Sequence, residues 1–171
     1  EKAPQSTRKD VSAVWKNFRN SDDNTGITSA KTPKSETTTY EKWFKKLGIN
    51  WSAAPSVQII VDNALIVMSS KYIYKLDLNT GDILQTGDMV ATTNFGYTPP
   101  TYADGMIFAP LSDGRIQAFN AETLESLWVY QDPLKGQSLS PITYSDGYIS
   151  TGFWNAEIKY ANYVCSPVTD E

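Results

Sequence analysis

The sequence has no histidine and only one cysteine, Cys165, among its 171 residues. Without histidine, the commonest general base and the commonest nitrogen ligand of zinc are both missing. A single cysteine cannot form a disulfide within the chain, and there is no histidine to activate it as a nucleophile. Catalysis would therefore have to rest on carboxylates, lysine, tyrosine or a bound cofactor.

Excess positive charge and long apolar runs are also missing. The formal net charge is -4. A negatively charged chain does not attract the phosphate backbone of a nucleic acid, so we expect no nucleic-acid partner. The longest apolar stretch, Val57 to Met68, is interrupted by Asp62 and Asn63. It is shorter than the roughly 20 residues that a membrane helix needs, so we expect no membrane insertion. A secretory signal could have been removed, so the composition leaves the location open.

The first 39 residues differ from the rest, because they are rich in Lys, Ser, Thr, Asp and Asn. We interpret residues 1–39 as a polar N-terminal arm or linker, extended from Ser29 to Thr39. Three residues of this arm have large apolar side chains: Trp15, Phe18 and Ile27. We expect these side chains to be buried, which argues against full disorder of the arm.

From Tyr40 onward, short apolar runs alternate with turn residues, and the pattern repeats. The stretches Pro99–Ile107 and Pro141–Ile149 share Pro, Thr, Tyr, Asp, Gly and Ile, each 42 residues apart. Tyr72–Leu84 matches Arg115–Leu127, which begins 43 residues later. A period near 42 with about four short strands per unit is typical of a β-propeller blade.

The predicted fold is all-β: propeller blades made of four-stranded antiparallel sheets in an incomplete ring, preceded by the polar arm. Residues 40–171 form the partial propeller, with blades at about 53–86, 97–130 and 139–171, the last one incomplete. Asp-Gly pairs suit hairpin turns that need positive φ, so their recurrence favours turn geometry over a catalytic or metal set. We assign these repeat positions a structural role: Asp104, Gly105, Asp113, Gly114, Trp128, Asp146 and Gly147.

These residues resemble the PQQ-like, or quinoprotein-type, propeller repeat. The second unit carries the pattern in Asp104-Gly105, Asp113-Gly114, Ala118-Phe119-Asn120, Thr123 and Trp128, and the first unit carries it in Leu76-Asp77 and Thr80-Gly81. The lead-in from Trp15 to Gly48 is similar as well. Two positions depart from the repeat, because Leu124 replaces the usual turn glycine and Gln85 stands where the first unit would have tryptophan.

The resemblance also implies how a ring closes, because in this family the segment before the first blade often supplies the outer strand of the last. Tyr40–Leu47 occupies that place here, and the edge to be covered lies near Tyr163–Cys165. We therefore expect Tyr40–Leu47 to pair with the unfinished third blade, in this chain or in a neighbouring copy. Two copies would then make a homo-oligomeric ring of six blades.

An aromatic group surrounds the irregular stretch of the third unit, where a loop interrupts the repeat. Stacking of these rings on a glycan or a peptide is the binding hypothesis, and simple packing between blades is the alternative. The residues are Phe153, Trp154, Tyr160 and Tyr163. A second stretch, Asp22–Gly26, is open to two interpretations, a calcium-binding loop or a solvated turn.

The function expected from these observations is non-catalytic binding or scaffolding outside the cytoplasm, on the bacterial surface or in the envelope, with a protein or glycan ligand. We expect no enzyme and no cofactor, and we assign no catalytic, cofactor-binding or metal-binding residue. Two alternatives remain, both implied by the resemblance. One is a fragment of a quinoprotein-like dehydrogenase, and the other is an envelope protein-assembly scaffold.

Overall fold

The computed structural model describes residues 13–29, 31, 34–48, 54–93, 98–154 and, for the backbone, 162–167. All regular elements in these ranges are β-strands apart from one short 3-10 helix, Glu36–Thr38. Within the described residues no helix is long and apolar enough to cross a membrane. The strands lie in three antiparallel sheets. The predicted all-β fold of blade-like sheets is confirmed.

Sheet 1 has five strands in the order β1-β2-β3-β4-β5. These are β1 (Ala13–Trp15), β2 (Ile59–Val61), β3 (Ala64–Ser69), β4 (Tyr72–Asp77) and β5 (Ile83–Asp88).

Sheet 2 has four strands, β6 (Thr101–Ala103), β7 (Met106–Leu111), β8 (Arg115–Asn120) and β9 (Ser126–Gln131). Sheet 3 has three in the described residues, β10 (Thr143–Ser145), β11 (Tyr148–Phe153) and β12 (Asn162–Pro167).

The short first strand was not expected, because it lies within the predicted polar arm. Ala13 and Trp15 pair with Val61 and Ile60, so β1 extends sheet 1 on the inner side of β2. Trp15 is half-buried there. The expectation of burial is wrong for Phe18 and Ile27, which are exposed. Part of the arm thus belongs to the propeller through the backbone pairing of β1 and through Ala13, which packs against the apolar core.

Turns with positive φ join the paired strands. Asp104 and Gly105 have φ of 48° and 71°, and Asp146 and Gly147 have φ of 48° and 79°. Both residues of a two-residue hairpin turn need positive φ, which glycine adopts freely and aspartate tolerates better than most residues. The turn with positive φ therefore occurs at the equivalent position in both copies of the 42-residue repeat.

Sheet 2 lies in the middle and is buried on both faces, because successive side chains of a strand point to opposite sides. Phe119 of β8 belongs to the apolar core shared with sheet 1, which includes Ile66 and Met68. Its neighbour Ala118 belongs to the core shared with sheet 3, which includes Ile149 and Phe153. Two separate seams of apolar packing therefore hold the three sheets side by side.

Candidate binding surface

One end of the three sheets is a continuous surface of connecting segments, which we call the connector face. It comprises the described parts of 89–100, the turns at 70–71 and 112–114, the connection 132–142, and Trp154. Backbone hydrogen bonds join neighbouring segments across it. Ser112 N donates to Thr92 O over 2.7 Å, and Asp132 N donates to Gly114 O over 2.8 Å. Segments from all three sheets are thus fixed relative to one another.

The connection between sheets 2 and 3 is a tight loop built around a buried carboxylate. Asp132 is buried, and its Oδ2 accepts a hydrogen bond from Gly136 N over 3.2 Å. Burial, and after it the negative charge of Asp132, raises the pKa of Tyr130. The side chain of Asp132 therefore organises the loop from within.

The same loop fixes the backbone of Trp154 through two hydrogen bonds with Gln137. Gln137 N donates to Trp154 O over 2.6 Å, and Trp154 N donates to Gln137 O over 2.9 Å. A Cβ added at Gly136 would lie 3.0 Å from Phe153 Cβ and 3.1 Å from Trp154 O, so only glycine fits without a shift. The position of Trp154 is therefore set by its main chain, which leaves its side chain available.

Exposed apolar side chains are grouped on this loop and on Trp154. The indole is 52% exposed, and Leu134 and Leu139 of the connection are exposed as well. Isolated exposed apolar residues are ordinary, but several on one rigid segment mark a candidate interaction site. A tryptophan with a fixed backbone offers a large contact area at a low entropic cost.

The four aromatic residues predicted as a ligand surface are not equivalent in the structure. Phe153 is 2% exposed and its ring stacks on that of Tyr130, with centroids 6.2 Å apart. Its assignment to the surface is wrong, because β11 directs Phe153 into the seam with sheet 2. Tyr163 pairs through its backbone with Gly152, and Tyr160 lies outside the described residues. Of the two whose side chains the structure describes, Phe153 and Trp154, it is Trp154 that is exposed.

The Asp22–Gly26 stretch folds as a compact turn. Asn24 N donates to Ser21 O, and Gly26 N donates to Arg19 O, both over 2.8 Å. Lys16 Nζ lies 2.6 Å from Asp22 Oδ2, so a cation of the chain already neutralises that carboxylate. Within the described residues no three His, Cys, Asp or Glu side chains are grouped to hold a metal ion. The geometry favours the turn interpretation over the calcium loop.

The sequence pattern did not predict a set of hydrogen bonds that connect the inner strands with neighbouring segments. Tyr102 N of β6 donates to Lys16 O over 2.7 Å, so the segment after β1 also reaches sheet 2. Tyr144 of β10 donates its hydroxyl to Asp104 Oδ2 over 2.8 Å. Burial, then this carboxylate, raises the pKa of Tyr144. The repeated Thr-Tyr and Asp-Gly positions were the available signal, because they place this tyrosine and this aspartate on adjacent sheets.

Comparisons with known proteins agree with this architecture. A PQQ-repeat family model described as "outer membrane protein assembly factor BamB" matches residues 86–153. No curated protein sequence is similar enough to count as a match.

Among solved structures, quinohemoprotein alcohol dehydrogenase ADHIIG of Pseudomonas putida HK5 is similar with a TM-score of 0.67 at 15% identity. The match covers 91% of this chain and 25% of that one. The quinohemoprotein alcohol dehydrogenase of Comamonas testosteroni gives a TM-score of 0.61 at 16% identity, over 90% of this chain and 25% of that one.

A third similar structure is the computationally designed Ika4 protein, with a TM-score of 0.53 at 15% identity over 74% of this chain and 73% of that one. The chain thus spans about a quarter of the length of the two dehydrogenases. At these identities the likeness concerns the fold. Together with the repeat itself and the family match, it identifies the chain as a partial β-propeller of three sheets built from PQQ-like repeats.

Proposed function

We propose that this chain is a non-catalytic binding module that works outside the cytoplasm, and that its connector face binds a protein or glycan ligand around Trp154. The observation that carries the proposal is the half-exposed indole of Trp154 on a backbone fixed by Gln137. Leu134 and Leu139, on the connection that fixes Trp154, are exposed as well. An aromatic side chain that is rigid and partly desolvated is suited to stack on a sugar ring or to anchor a peptide.

The extracytoplasmic location is part of this proposal. It is supported by the family match, whose description names an outer-membrane assembly factor. The same description favours a second candidate function, a scaffold for protein assembly in the envelope. In that case the ligand at the connector face is a protein segment and not a glycan.

A role in a quinoprotein dehydrogenase is supported less well by the described residues. Quinoprotein dehydrogenases with this repeat bind PQQ and calcium at the centre of a complete ring, and the resemblance of this chain does not carry that site over. Among the residues that the structure describes, no three carboxylate, histidine or cysteine side chains are grouped to hold a metal ion. Lys16 O accepts a hydrogen bond from Tyr102 N of the inner strand β6, and Lys16 Nζ forms an ion pair with Asp22. The donor set of the described residues therefore does not fit calcium.

The proposal is tested by probing a glycan array and a peptide array with the labelled chain and with three variants. We expect Trp154→Ala to weaken binding to the selected ligand by at least about tenfold, since a central aromatic anchor carries a large share of binding energy. Trp154→Phe should retain much of it. Leu127→Ala, an exposed residue on β9, is the matched control and should bind like the parent. Equal binding by Trp154→Ala and the parent would remove the proposal.

A further inference from the structure

Residues 13–22, which we call the inner segment, are attached through their backbone to the inner strands of two sheets. The first part of the inner segment is β1, which pairs with β2 of sheet 1 in an irregular register. The next residue, Lys16, accepts a hydrogen bond at its carbonyl oxygen from Tyr102 N of β6, over 2.7 Å. The inner segment therefore covers backbone groups of both β2 and β6.

The chain turns sharply within the inner segment, and two consecutive residues there have left-handed backbone conformations. Arg19 has a φ of 60° and Asn20 has a φ of 78°. Asparagine tolerates this region, but arginine adopts it only at a cost. The bond from Lys16 N to Asn20 O is 3.4 Å long, which is beyond the usual length of an N–H···O bond. The surrounding contacts must therefore offset strain in this turn.

The same turn buries an amide side chain without a hydrogen-bond partner. Asn17 is 1% exposed, and neither its Oδ1 nor its Nδ2 is bonded in the part of the chain that the structure describes. The Oδ1 atom of Asp22 is also buried without a partner among these residues. Buried polar groups of this kind lose their hydration without compensation. Each of them therefore favours a state in which the inner segment has opened and water reaches it.

The side-chain contacts that favour the closed inner segment are limited. Ala13 packs against the apolar core, but the larger side chains of Val14 and Phe18 are exposed. Lys16 Nζ lies 2.6 Å from Asp22 Oδ2, and both side chains are about one-third exposed. An ion pair in contact with water contributes little to stability. Strain and unpartnered groups on one side and few buried contacts on the other are what local opening requires.

We propose that the inner segment is a strap that opens and closes over the inner strands while the three sheets stay folded. Opening uncovers the edge of β2 that pairs with β1, and it also uncovers the N–H of Tyr102. These are backbone groups with which another extended segment can pair. The closed inner segment blocks that pairing. The strap does not depend on ligand binding at Trp154, so the failure of one proposal leaves the other standing.

Hydrogen exchange in the native state tests the proposal through one amide. The N–H of Tyr102 is covered by Lys16 O, whereas Phe108 is 0% exposed on β7, between β6 and β8. After correction for intrinsic rates, the Tyr102 amide should exchange at least about 100-fold faster than the Phe108 amide. Its rate should depend less on urea, because local opening exposes less surface than global unfolding. Equal rates with equal urea dependence would overturn the proposal.

Arg19→Gly should hold the inner segment closed more firmly, because glycine adopts a positive φ freely. The exchange of the Tyr102 amide should then slow about threefold. Lys135→Gly is the matched control, because Lys135 also has a positive φ, of 51°, but lies in the connection between sheets 2 and 3. It should leave the exchange of Tyr102 unchanged.

Asn17→Leu removes the unpartnered amide and keeps a side chain of similar size. It should slow the exchange of the Tyr102 amide at least about fivefold. The amide of Ser112, which donates to Thr92 O on the connector face, should exchange at the parent rate in every variant. Unchanged or faster exchange of Tyr102 in both Arg19→Gly and Asn17→Leu would contradict the proposal, because neither strain nor an unpartnered group would then oppose closure.

Discussion

The indole of Trp43 occupies the space into which a side chain at Gly81 would project. A Cβ at Gly81 would lie 2.5 Å from Cε3 and 2.7 Å from Cδ2 of the ring. Gly81 also has a φ of 74°. Residues other than glycine adopt this left-handed backbone conformation only at an energetic cost. The glycine therefore serves two needs at once, a left-handed turn and a flat surface for the ring.

The first prediction separates these two needs. Gly81→Ala should lower the free energy of unfolding by about 1–2 kcal/mol for the left-handed backbone and by a further 1–3 kcal/mol or so for the displaced ring. Gly147→Ala is the matched control, because Gly147 has a φ of 79° and an added Cβ there meets nothing within 4 Å. Urea denaturation of both variants measures the difference.

A double variant completes this test. In a Trp43→Ala background the ring is gone, so Gly81→Ala should cost only what Gly147→Ala costs. If Gly81→Ala and Gly147→Ala are equally destabilising in the parent, the close contact contributes nothing, and the placement of the segment Tyr40–Leu47 would have to be reconsidered.

The repeat made the sheets predictable, because turn residues and apolar alternation recur at a fixed spacing. Asp104-Gly105 and Asp146-Gly147 identify hairpins without any knowledge of tertiary contacts. The short strand β1 could not be predicted in this way. Its three residues, Ala13–Trp15, carry no periodicity, and the pairing with β2 depends on backbone groups that any sequence provides.

The candidate site was predictable only in part. A loop that interrupts the third repeat pointed to Trp154, but Phe153 beside it is buried because adjacent strand residues face opposite ways. Which of these two side chains is exposed to solvent depends on where sheet 2 packs, and this tertiary contact cannot be deduced from the local sequence. Gln85 and Leu124 were recognised as separate departures from the repeat. Leu124 lies against Gly87 of β5, the strand that also carries Gln85.

The second prediction concerns Gln117, a buried polar side chain that joins sheets 1 and 2. Its Oε1 accepts from Val90 N over 2.9 Å, and its Nε2 donates to Asp88 O over 3.2 Å and to Ser126 Oγ over 2.9 Å. Gln117→Leu should lower the free energy of unfolding by about 2–3 kcal/mol, because buried groups at the seam lose their partners. Thermal unfolding followed by circular dichroism measures the loss.

Gln131→Leu is the control for Gln117. Gln131 also donates a side-chain hydrogen bond, from Nε2 to Asp113 O over 2.6 Å, but it is exposed and water can replace the bond. Its substitution should change the stability by less than about 0.5 kcal/mol. A comparable loss in the two variants would show that Gln117 does not link the sheets.

The third prediction compares two equivalent turns that differ in one titratable group. The carboxylate of Asp77 accepts hydrogen bonds from the backbone N–H groups of Thr80 and Asn79, and Asn120 Oδ1 accepts from Thr123 N and Glu122 N in the same way. The N–H of Thr80, then that of Asn79, holds the pKa of Asp77 below its ordinary value. The amide of Asn120 does not titrate.

A carboxyl group whose pKa is lower in the folded state stabilises the fold at pH values above its unfolded pKa, about 3.9. That contribution is lost as the pH falls through the lowered, folded pKa. Asp77→Asn should therefore match the parent near pH 7, since the amide oxygen can accept the same two bonds, and should lose less stability below about pH 4. The reciprocal Asn120→Asp should lose more stability there than the parent. Melting temperatures from pH 2.5 to pH 7 measure both, and parallel curves for all three proteins would show that the turn carboxylate is not coupled to folding.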